Sequence, residues 1–108
     1  MRDYRLYLQD IIAAIERIEE SIQDMDLEAF KADDKTVSAV IRKLEIIGEA
    51  AKGVPVEIRL NRAHIPWKEM SGMRDKLIHF YFGVDYDLVW ATVKRRLPDV
   101  KGWIKEIV

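Results

Sequence analysis

Arg74, Asp75, His79 and Tyr81 lie within the nine-residue run Met73-Arg74-Asp75-Lys76-Leu77-Ile78-His79-Phe80-Tyr81. Together they form a proton-transfer and phosphate-handling set. An imidazole gains and loses a proton near neutral pH, a guanidinium can grip a phosphate through two parallel hydrogen bonds, and a carboxylate can fix the imidazole tautomer. Apolar spacing predicts one helix from about Trp67 to Phe80 or Tyr81. On it Asp75 and His79 are offset by about 40°, within hydrogen-bonding reach, and Arg74 and Tyr81 share a face at about 20°. Arg74 and His79 stand roughly 140° apart around that axis, so a single helix converges them poorly on one group. Pairing the helix with its copy across a two-fold axis would bring two arginines and two histidines into one groove. The same spacing also fits plain structure, with Asp75 and His79 as a helix-surface pair, Arg74 a solvated charge and Tyr81 a half-buried core residue.

Other chemistry falls away by subtraction. There is no cysteine, which removes disulfides, thiolate metal sites and Cys nucleophiles. His64 and His79 are fifteen residues apart, without metal-helix spacing. Ser21, Ser38 and Ser71 have no nucleophile-elbow context, and Gly48, Gly53, Gly72, Gly83 and Gly102 are too scattered for a phosphate loop. His64, beside a loop proline, reads as structural or exposed. Met70, Met73 and Leu77 read as core, and Trp67, Trp90 and Trp103 as packing rather than base-stacking platforms. Lys94-Arg95-Arg96 reads as a solvated helix face that could receive RNA phosphates, as could Lys76.

The elements that must position this set are helices throughout. Tyr4, Leu8, Ile11, Ile12, Ile15, Ile18, Ile22 and Met25 recur at steps of three and four, predicting a long first helix capped by Asp3. Residues 24–30 read as its frayed end and a short helical turn. Asp33 or Asp34 then caps a second long helix carrying Val37, Val40, Ile41, Leu44, Ile47 and Ala51, with Gly48 on the apolar side, where it admits a close neighbour. Gly53 and Pro55 separate it from a short helix over Val56 to about Arg62, and Pro66 starts the helix that carries the reactive set. Gly83 ends that helix. Asp85 opens a last one, with Pro98 as a kink point, running through Trp103 and Ile107. No sustained period-2 alternation appears, so the expected fold is an all-α antiparallel bundle of four to five helices in one domain, residues 1–108.

Composition agrees. The chain has 108 residues, 49% of them hydrophobic, enough for one core and too few for two full domains. The longest apolar run, Ile11 to Ile15, is far short of a membrane span, and the N-terminus leads into no signal-peptide core, so a cytoplasmic location is expected. The formal charge of −1 conceals an imbalance: residues 1–35 hold five basic and ten acidic side chains, whereas 36–72 hold six and four and 73–108 hold seven and five. An anionic ligand is therefore expected away from the N-terminal third.

At the reactive set the chain resembles the HepT-like branch of the HEPN superfamily, the toxin half of MNT/HEPN toxin–antitoxin systems. Arg74-x4-His79-x-Tyr81 fits that family's Arg-x4-His-x-Tyr motif, with Asp75 at the polar position where many relatives carry Asn. The blocks Leu44-Glu45-Ile46-Ile47-Gly48-Glu49-Ala50-Ala51, Ile65-Pro66-Trp67-Lys68-Glu69-Met70-Ser71-Gly72-Met73 and Phe82-Gly83-Val84-Asp85-Tyr86-Asp87-Leu88-Val89-Trp90 are similar to it in the same order. The resemblance implies a homodimeric, metal-independent endoribonuclease with no cofactor, its cleft at the dimer interface. It further implies His79 as general acid or base, Arg74 as charge stabiliser and Asp75 as the group orienting His79. The implied partner is a minimal nucleotidyltransferase antitoxin that transfers AMP to Tyr81. Two other readings stay open: a non-catalytic nucleotide- or substrate-binding subunit of a nucleotidyltransferase complex, and a simple dimerisation module.

Overall fold

The computed structural model describes residues 2–79 and 83–108, with the backbone alone at Arg74, Leu77, Ile78 and His79. Helices dominate: α1 (Tyr4–Ser21), α2 (Leu27–Ala32), α3 (Asp34–Gly53), α4 (Val56–Asn61), α5 (Trp67–Ser71), α6 (Met73–Leu77), α7 (Tyr86–Ala91) and α8 (Leu97–Lys105). The all-α bundle expected from periodicity is present. A π-helical turn, Thr92–Arg96, joins α7 to α8 as one continuous rod.

Side-chain caps start the elements where the sequence places them. The Asp3 carboxylate accepts from the Arg5 N–H at 3.0 Å and opens α1. Asp33 accepts from the Thr36 N–H at 3.0 Å and opens α3, a bond that holds its carboxyl below the ordinary carboxylate range. Asp85 accepts from the Leu88 N–H at 3.0 Å and opens α7. Each satisfies a backbone donor that the helix leaves orphaned.

One core holds these elements together. α1 contributes Leu8, Ile11, Ala14, Ile15 and Ile18, packed along Val40, Leu44 and Ile47 of α3, with Leu97, Val100 and Ile104 of α8 in the same cluster. Full burial of each large aliphatic chain is worth roughly 1.5–3 kcal/mol. Ion pairs stitch the outside: Lys101 meets Glu19 at 2.6 Å and Lys105 meets Glu16 at 3.6 Å, joining α8 to α1. Part of the acidic N-terminal third is thus answered by the basic C-terminal helix.

One expectation changes. The motif helix is not continuous: it breaks at Gly72, resumes for five residues as α6, and gives way to a two-residue strand, β1 (Ile78–His79). β1 pairs antiparallel with β2 (Gly83–Val84), matching His79 with Gly83 and Ile78 with Val84. Gly83 has φ +85°, a conformation that costs a glycine little and an L side chain much. Ile78 and His79 are too few residues to show an alternating pattern, and the helical spacing before them disguised the change of structure. Pro98, expected as a kink point in a helix that runs on, lies just past the π turn at the start of α8. A proline in a regular helix clashes with the carbonyl four residues back, here that of Lys94. The wider π turn over Thr92–Arg96 lies where that carbonyl sits, and the rod continues into α8.

Candidate active site

Where the motif sits follows from how closely α5 and α6 approach α3. Trp67, Met70 and Met73 are buried, as their apolar spacing predicts, and pin this segment onto the core. Gly48 of α3 makes the approach possible, because a Cβ there would lie 3.2 Å from the Met70 carbonyl oxygen and 3.3 Å from that of Ser71. The Trp67 indole N–H donates to the Arg62 carbonyl at 3.1 Å and anchors the turn that enters α5.

Asp75 stands exposed on α6 and lines an open polar cavity of about 330 Å³ with Glu45, Gly48, Glu49, Lys52 and Ser71. Lys52 and Glu49 are 3.9 Å apart on its rim, and Ser71 Oγ donates to the Trp67 carbonyl at 3.0 Å. Glu45 and Glu49 were not singled out by the sequence as site residues. Their signal was present, since they lie four apart on α3 and flank Gly48, inside a block noted only for its family likeness.

The four motif residues fare differently. Arg74 and Asp75 lie on α6, and His79 lies on β1 beyond the helix end, so the helical pairing of Asp75 with His79 is not the geometry here. The roughly 140° separation of Arg74 and His79 around one helix axis likewise no longer applies. The side chains of Arg74 and His79, and all of Tyr81, lie outside the described residues, as does the face that Arg74 and Tyr81 were expected to share. Lys76 is exposed on α6. No group of three or more potential metal ligands occurs among the described residues, and no helix among them is long and apolar enough to cross a membrane.

Lys94, Arg95 and Arg96 fan around the π turn. Lys94 lies over the Trp90 ring at 5.5 Å, and Arg96 donates to Glu69 of α5 at 2.9 Å while standing 5.9 Å from the Trp103 ring. Arg96 and Glu69 are 27 residues apart, a pairing no sequence spacing could reveal. Glu69 holds the Arg96 guanidinium even more firmly protonated than usual.

The family described as ribonuclease HepT-like matches residues 11–107. The chain is 50% identical, over 98% of its length and 96% of the relative's, to the probable ribonuclease HepT of Thermococcus cleftensis. It is 48% identical, over 99% of its length and 92% of the relative's, to a protein of Methanocaldococcus jannaschii named as a candidate RNase. A similarly named protein of Caldanaerobacter subterraneus is 43% identical over the whole chain and 96% of its own length. No solved structure is significantly similar to the chain. Motif, flanking blocks and end-to-end identity converge: this chain belongs to the ribonuclease HepT-like family.

Proposed function

We propose that the protein is a metal-independent endoribonuclease toxin acting in the cytoplasm, restrained by a nucleotidyltransferase antitoxin. The observation that carries this reading is Arg74-x4-His79-x-Tyr81, standing at the family's motif inside a match that spans residues 11–107. In the proposed reaction His79 takes the proton of a ribose 2′-hydroxyl, whose oxygen attacks the adjacent phosphorus. The bond to the 5′-oxygen breaks, that oxygen receives a proton, and a cyclic phosphate is left. Arg74 stabilises the charge that builds on the phosphoryl oxygens, and Asp75 orients the imidazole. The active species is a homodimer with the two motifs in one groove.

Restraint works through Tyr81. Its phenolic oxygen attacks the α-phosphorus of ATP on the antitoxin and gives up its proton to solvent, pyrophosphate leaves, and the tyrosine carries AMP. A bulky anion beside Arg74 occupies the phosphate position and repels the RNA backbone. The test is cleavage of RNA by the purified protein in the presence of a chelator. His79→Ala is expected to abolish cleavage with the helical circular-dichroism spectrum retained. Undiminished cleavage by that variant overturns the assignment, and an inert parent protein that binds nucleotide favours the non-catalytic subunit instead.

A further inference from the structure

We propose that the outer face of the π turn is a second RNA-binding surface, which holds the single strand alongside the motif without reading its sequence. This rests on the ribonuclease reading above. The surface is centred on Trp103. The exposed His64 ring forms a T-shaped pair with it at 5.9 Å, and the Arg96 guanidinium stands against the same indole, also at 5.9 Å. Trp103 itself is only partly buried, so aromatic surface is open to solvent beside fixed positive charge.

The neighbouring charges are the second part. Arg95 and Lys94 are exposed, and among the described residues neither makes an ion pair, unlike Lys101 and Lys105 further along the same rod. Val93 and Leu97 are buried, so Arg95 takes the outward side of the turn, flanked by Lys94 toward α1, where it lines a pocket with Glu19 and Gln23, and by Arg96 toward α5. That side of a helix is roughly 10 Å across, space for successive phosphates. Cations that track a backbone, together with aromatic rings on which any base can stack, are what sequence-tolerant binding of a single strand requires.

The link to the site is direct. Arg96 is held by Glu69 of α5, which leads through Gly72 into α6 and its Arg74. A strand lying across His64, Trp103 and Arg95 would therefore rest on a surface tied to the element that leads into the motif. An acidic protein would satisfy the cations but gain little from the rings, so the aromatic component favours RNA.

The experiment is fluorescence anisotropy of a labelled uridine 20-mer binding to the intact protein at 0.05–0.3 M salt, as an order-of-magnitude range. Lys94→Gln/Arg95→Gln is expected to weaken binding about 10- to 30-fold at roughly 0.1 M salt and to flatten the logarithmic salt slope by about 1.4, two phosphate contacts' worth. His64→Ala is expected to weaken binding about fivefold or more with the salt slope intact, as for a lost stacking partner. Parent-like affinity and slope in both variants overturn the proposal. So does a parent protein that ignores RNA while the double variant loses affinity for the nucleotidyltransferase, which assigns the surface to a protein partner. Binding that behaves as expected in a protein that cleaves nothing sinks the ribonuclease reading alone.

Discussion

In the proposed reaction Asp75 orients His79, which would set a unit of negative charge beside the general base. A negative charge favours the protonated imidazole and raises its pKa. Asp75→Asn is therefore expected to move the histidine limb of the cleavage pH profile downward, by about one unit at most. The fold should be unaffected, since the Asp75 side chain is exposed. A profile that keeps its position shows that Asp75 does not face His79. The side chain lines the polar cavity with Glu45 and Glu49, so the same substitution also lowers the negative charge around any RNA entering there.

Among the elements, α3 sets the position of the site through Gly48. Alanine at that position would gain up to about 1 kcal/mol of helix propensity. Against this stands overpacking of about 1–3 kcal/mol, caused by a Cβ at 3.2 Å from a backbone carbonyl. Backbone of α5 cannot swing away as a side-chain tip can. Gly48→Ala should be mildly destabilising, and Gly48→Val should lose about 2 kcal/mol or more, because its extra bulk comes without alanine's propensity. Urea unfolding measures both. A Val variant as stable as the parent would mean that α3 and α5 can separate freely.

This is also the scale at which the sequence was most and least legible. Asp3, Asp33 and Asp85 announced helix starts because capping is a local interaction, and the stripes of α1 and α3 were long enough to fix their buried faces. Gly48 announced a close approach because a glycine on the apolar side of a helix leaves room for a neighbour, without saying which. The end of α6 was hidden because Met73, Leu77 and Phe80 or Tyr81 keep helical spacing across the point where the chain turns into β1. The Arg96–Glu69 bond and the His64–Trp103 pair join segments distant in sequence, so no window along the chain contains them.

For the whole molecule, the expected composite site makes a prediction that single-chain activity cannot. If Arg74 of one copy works with His79 of the other, Arg74→Ala and His79→Ala proteins should each be inert alone. Mixed after brief unfolding and refolding, half the dimers are hybrids with one intact pair, and about a quarter of the parent activity should return. Sedimentation would confirm that the mixture is dimeric. No recovery in such a mixture places the working Arg and His in the same copy.

The short helices around Gly72 have a last consequence. Five-residue α5 and α6 are far below the length at which a helix sustains itself, because nucleation is never repaid over so few hydrogen bonds. Their order is borrowed from Trp67, Met70 and Met73, seated in the core beside α3. Opening of this segment alone thus requires less free energy than opening of the bundle. Mild damage to the packing beneath it would thin the population of assembled sites while nearly every molecule remained folded. Activity, rather than melting temperature, is the sensitive gauge of this core.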